Sequence, residues 1–179
     1  MAYSRVERPR SIVLIGFMGS GKSSVGRCLQ RQLGLARVDT DELIGTKLGM
    51  EISEIFSKYG EARFRDAETE VLRELDLNRP AIIVTGGGTI LKPENVAVLK
   101  NLGKIVWLDA SEGILFERAM RKNDRPLLQT ENPRGSFSGL LTARLPIYAK
   151  AADIRIDTSQ LSHDEVAREI LKKLELQIQ

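Results

Sequence analysis

The segment Gly16-Phe-Met-Gly-Ser-Gly21-Lys22-Ser23 constrains this chain more than any other, because it fits G-x-x-x-x-G-K-[ST] fully. It follows an unbroken apolar run ending at Ile15 and precedes a helical pattern over about residues 22–33. A strand that turns through glycines into a helix brings backbone N–H groups together on a phosphate, and the helix start adds partial positive charge. In this arrangement Lys22 reaches the outer phosphates of a nucleotide, and Ser23 offers a hydroxyl to Mg²⁺. Such a loop requires a strand–turn–helix unit, so the rest of the chain has to supply a sheet around it.

The pattern along the chain does so. The runs at 11–15, 81–85 and 105–108 read as strands buried on both faces of a parallel sheet, with shorter strands at 37–40 and 153–157. Helical stretches are predicted at about 41–48, 52–59, 61–76, 111–121 and 138–149, with another beginning near Pro93 and a closing helix started by the capping pattern Ser162-His-Asp-Glu165. Strands alternating with helices specify an α/β fold with a doubly covered sheet. Residues 122–137, KNDRPLLQTENPRGSF, read as a loop, and 41–76 as a helical insertion; neither is needed to build the sheet.

Chemistry-bearing residues gather at the expected carboxyl edge of that sheet. VDTDEL, Val38 to Leu43, places Asp39 and Asp41 two positions apart. In an extended segment that spacing puts both carboxylates on one face, roughly 6–7 Å apart. Gly86-Gly87-Gly88 follows the second buried strand, where a ligand could approach the backbone closely. Arg63, Arg65, Arg125 and Arg144 add guanidinium groups suited to carboxylates and phosphates, with Glu68 three residues beyond Arg65 and able to orient it.

Composition excludes several classes. A chain of 179 residues with 42% hydrophobic and 28% charged residues suits a single soluble domain. Aromatic content of 5% and scattered basic residues argue against a nucleic-acid surface, and no segment approaches a membrane span. The lone Cys28 reads as a packing residue and the lone His163 as part of a helix cap, which leaves no histidine dyad or zinc site. The start lacks a secretory h-region, so a cytoplasmic location is expected. The guanine-reading Asn-Lys-x-Asp and the Asp-x-x-Gly of signalling GTPases do not occur.

With GFMGSGKSS, VDTDEL, FRDAE, TGGG, DRPLL and RLPIY in one order, the chain resembles shikimate kinases from about Ile12 to Thr158. The resemblance implies a P-loop kinase of the adenylate-kinase-like type with a five-stranded parallel sheet. It divides a single domain, 1–179, into a polar tail at 1–10, a substrate-binding region at 41–76 and a lid at 122–137. It implies transfer of the ATP γ-phosphate to the 3-hydroxyl of shikimate on the route to aromatic amino acids, by a monomer whose partners are ATP and shikimate.

Residue by residue, the resemblance implies that Gly19, Ser20, Gly21, Lys22, Ser23 and Ser24 hold the ATP phosphates. Ser23 and Asp39 would serve Mg²⁺, the latter through water. Asp41 would bind shikimate hydroxyls and act with Lys22 and Arg125 in catalysis. Arg65 and Arg144 would pair with the shikimate carboxylate beside Gly86, Gly87 and Gly88. Arg125 would reach the ATP phosphates, and Arg118 would flank the adenine. Leu161, beside Gln160, stands where the family commonly has a polar or basic residue, and Ser24 replaces a more usual threonine. Two readings stay beside this one: another small-metabolite P-loop kinase, such as one for gluconate, and a nucleotide-binding module without catalysis.

Overall fold

The computed structural model describes residues 11–75, 78–121 and 126–175. Five parallel strands form one sheet in the order β2-β3-β1-β4-β5, where β1 is Ser11–Ile15, β2 Ala36–Asp39, β3 Ala81–Val84, β4 Gly103–Asp109 and β5 Ile154–Asp157. β1 lies between β3 and β4, with Val13 opposite Ile83 on one side and Ile105 on the other. Every residue of β1 and β3 is buried, as the unbroken apolar runs require of central parallel strands.

Successive side chains on these strands feed two cores. Val13, Ile15, Ile83, Ile105 and Trp107 point to one face, packed against helices α4 (Pro93–Leu102), α5 (Glu112–Met120) and α6 (Pro133–Ala151). Ile12, Leu14, Ile82, Val84, Val106 and Leu108 point to the other, against α1 (Lys22–Leu33) and α7 (His163–Lys173). A third cluster of Ile44, Ile55, Phe64, Ala67 and Val71 joins α2 (Thr40–Leu48) to α3 (Ile52–Glu74). The expected break between helices near residue 60 is a kink inside α3 at Gly60, whose φ of 78° favours glycine.

The reading of 122–137 as loop needs correction over its last five residues. Asn132 caps α6 by accepting from the Gly135 N–H at 2.9 Å, and Pro133 occupies the first turn, where its missing N–H costs nothing. Phe137 is fully buried between Phe17 and Phe116, with ring centroids 5.0 and 5.2 Å away. Among the residues that marked this segment as loop, Asn132, Pro133, Arg134 and Gly135 belong to the start of α6. Residues 122–125, Arg125 among them, lie outside the described residues. No helix of the described residues is long and apolar enough to cross a membrane.

Candidate active site

The loop after β1 wraps toward the start of α1 beside β4 and α5. Gly19 adopts φ 84°, and a Cβ there would overlap the Leu115 carbonyl, so this turn tolerates no side chain. The Lys22 ammonium donates to the carbonyls of Gly16 at 2.8 Å and Phe17 at 3.1 Å, which holds it over the loop. A cavity of about 740 Å³ opens here, bounded by Gly19, Gly21, Lys22, Ser23, Ser24 and Asp39. Arg118, Leu161 and His163 also line it. Arg118 is tied down by the Thr158 hydroxyl at 3.1 Å and carbonyl at 3.0 Å. Ser20 stands apart from the other loop residues: it is buried, and its N–H donates to the Phe17 carbonyl rather than into the cavity.

VDTDEL is not extended throughout. β2 ends at Asp39 and α2 begins at Thr40, so the strand spacing expected between Asp39 and Asp41 does not apply. The cause is capping: one Asp39 oxygen accepts from the Asp41 N–H at 3.1 Å and closes the first turn of the helix. The other oxygen is paired with Arg37 at 2.9 Å, and Arg37 also grips Glu42 at 2.7 Å. Hydrogen bonding to Glu42 is the largest cause of the raised Arg37 pKa; burial works against it and Asp39 adds to it. Asp39 borders the larger cavity, whereas Asp41 borders that cavity and a smaller one beside it.

The smaller cavity, about 100 Å³, brings together Asp41, Arg65, Arg144 and Gly86 to Gly88, with an apolar wall of Met18, Ile52, Phe56, Phe64 and Leu127. Arg65 is held by Glu68 at 2.6 Å and Glu61 at 2.8 Å. Burial is the largest single influence on Arg65 and lowers its pKa, but Glu68 and Glu61 together outweigh it and the net shift is upward. Glu68 is itself fully buried and accepts from the Thr89 hydroxyl at 2.6 Å, so α3 and the glycine loop are joined through it. Arg144 is 5% exposed and lies over the Phe17 ring at 5.5 Å. Burial lowers its pKa, the Tyr148 oxygen opposes that, and neighbouring Arg65 reinforces it. A buried guanidinium, Arg144, and a half-buried one, Arg65, facing one small space favour an anionic occupant. Arg63 points elsewhere and pairs with Glu70 at 2.9 Å.

The family model for shikimate kinase matches residues 18–175. The chain belongs to the shikimate kinase family. A shikimate kinase of Thermodesulfovibrio yellowstonii is 50% identical over 166 residues, covering 93% of this chain and 95% of the relative. One of Geobacter sulfurreducens is 44% identical over 161 residues, 90% of this chain and 88% of the relative. Among solved structures, shikimate kinase from Acinetobacter baumannii in complex with shikimate superposes with a TM-score of 0.89 at 39% identity over 94% of each chain. A gluconokinase from Sinorhizobium meliloti 1021, at 18% identity and a TM-score of 0.52, shares the fold alone.

Several residues around these cavities escape a motif-based reading. The apolar wall carries no motif. Tyr148, whose hydroxyl donates to the Gly87 carbonyl, is buried deep in the fold, and burial raises its pKa far above the ordinary value against the opposing pull of Arg144. RLPIY held the signal, since residues four apart share a helix face and Tyr148 follows Arg144 by that interval.

Proposed function

We propose that this protein transfers the γ-phosphate of ATP to the 3-hydroxyl of shikimate, giving shikimate 3-phosphate and ADP. The observation that carries the reading is Asp41, shared by a phosphate-type cavity and a smaller one that presents Arg65 and Arg144 together with an apolar wall. That second space suits a small cyclic carboxylate bearing hydroxyl groups. Family membership and 50% identity to a curated shikimate kinase favour this acceptor over gluconate, for which the likeness is one of fold.

The glycine-loop N–H groups, Lys22 and Ser24 hold the ATP phosphates, Arg125 is assigned to the same phosphates, and Arg118 borders the base. Arg65 and Arg144 hold the acceptor carboxylate, and the N–H of Gly87 adds a donor. The hydroxyl and carboxylate of Ser23 and Asp39, hard oxygen donors on one cavity wall, fit Mg²⁺. Both Asp39 oxygens already have protein partners, which suits an outer contact through water. Mg²⁺, when bound, would neutralise charge on the β- and γ-phosphates.

The transition state is loose, so alignment and charge stabilisation do most of the work. The acceptor hydroxyl oxygen bonds to the γ-phosphorus as the bond to the β-phosphate bridging oxygen breaks, and ADP departs. Asp41 orients the hydroxyl and takes its proton late, because in a loose transition state little bond to the acceptor oxygen has formed and its proton is not yet acidic. Closure of the lid excludes water, a competing acceptor. The acting species is a monomer, working in the cytoplasm. A coupled ADP-release assay with a panel of acceptors tests the reading: shikimate should stimulate ADP release strongly and gluconate should not. Stimulation by no acceptor would favour a nucleotide-binding module without catalysis.

A further inference from the structure

We propose that Tyr148 is a positioning residue for the acceptor carboxylate, its hydroxyl fixing Arg144 and the triple-glycine loop in one arrangement. The inference rests on the reading of Arg65 and Arg144 as the carboxylate clamp. Tyr148 lies one helical turn after Arg144 on α6, so the two side chains share a face. Its ring stacks on Trp107 of β4 with centroids 5.8 Å apart and planes 15° from parallel, which fixes where the hydroxyl sits.

From that place the hydroxyl serves two partners. It donates to the Gly87 carbonyl, and its oxygen faces the Arg144 guanidinium. Three consecutive glycines have no side chains to restrain them, so the loop depends on backbone anchors. The peptide bond is trans, and a carbonyl and the following N–H point to opposite sides of a trans peptide. Anchoring the Gly87 carbonyl therefore also orients the Gly88 N–H and keeps Gly88 against Arg65, which packs directly over it. One phenol thus reaches the clamp twice, Arg144 through its oxygen and, through the loop, the Gly88 backbone over which Arg65 lies.

The test compares binding of shikimate with binding of its carbinol analogue, in which the carboxylate is reduced to CH₂OH, by titration calorimetry on folded protein. Wild type should prefer shikimate by at least tenfold. In Tyr148→Phe, shikimate affinity should fall about fivefold to tenfold while carbinol affinity changes less than twofold. In steady state the KM for shikimate should rise, with kcat and the KM for ATP within twofold of wild type. Replacing Tyr148 by 4-aminophenylalanine, which restores a donor to the Gly87 carbonyl, should recover at least half of the lost preference. Trp107→Phe, which keeps the hydroxyl and leaves an aromatic ring for the phenol to stack on, should retain the preference. Equal weakening of both ligands in Tyr148→Phe, or an aminophenylalanine protein no better than the phenylalanine one, would overturn the positioning role. Wild-type protein that binds both ligands alike would overturn the clamp itself.

Discussion

Arg65 crosses Gly88 so closely that a Cβ on residue 88 would overlap its guanidinium. The arginine cannot yield cheaply, because Glu61 and the fully buried Glu68 hold it from two sides. Gly88→Ala should therefore displace Arg65 and raise the KM for shikimate at least tenfold, with the KM for ATP within twofold. Steady-state kinetics with each substrate varied in turn checks this. Equal effects on both would mean that Arg65 does not serve the acceptor.

Asp39 and Asp41 should separate by phenotype. Asparagine caps a helix as well as aspartate does, so Asp39→Asn leaves the start of α2 intact while removing charge from the larger cavity. The Mg²⁺ concentration for half-maximal rate should rise several-fold, with little change in the KM for shikimate. Asp41→Asn should lower kcat by at least a hundredfold at saturating Mg²⁺, in line with the roughly 10²–10⁴-fold worth of a positioned proton acceptor. Matching profiles from a Mg²⁺ titration of both variants would remove the division between them.

Phe137→Ala should cost about 3–5 kcal/mol of stability, the usual loss for a large aromatic deleted from a packed core. The residue is fully buried between two aromatic rings. Denaturant melts measure this, and a loss below about 1 kcal/mol would restore the segment before residue 138 to the loop.

Alkaline pH provides a separate handle on Tyr148. Its pKa is raised in the folded protein above the ordinary 10.0, chiefly by burial, so the native state holds this proton more tightly than the unfolded chain does. The associated stability is complete below pH of about 10 and is lost as pH rises beyond it. The difference in melting temperature between wild type and Tyr148→Phe should therefore hold steady up to about pH 10 and shrink as pH rises above it. A constant difference above that pH would mean that the phenol does not stay buried.

The sheet was legible because buried parallel strands leave continuous apolar runs, as at Ile12–Ile15 and Ala81–Val84. The glycine loop was legible because its spacing and its place between strand and helix are both required by phosphate binding. The geometry of VDTDEL was not, since an aspartate at a strand end can continue the strand or cap a helix, and Asp39 ends β2 while accepting from the Asp41 N–H to start α2. The start of α6 was hidden for a related reason: proline, asparagine and glycine signal both loops and helix starts. The Thr89–Glu68–Arg65 chain crosses from the short turn at Thr89–Leu91 to α3, and of its links sequence spacing could suggest Glu68 to Arg65 alone.

The most direct measurement is phosphorus NMR of the product formed from ATP and shikimate. The account expects a phosphomonoester signal coupled to the proton on C3, appearing in step with ADP. Coupling to the proton on another carbinol carbon, or ADP formed with inorganic phosphate and no ester, would contradict it.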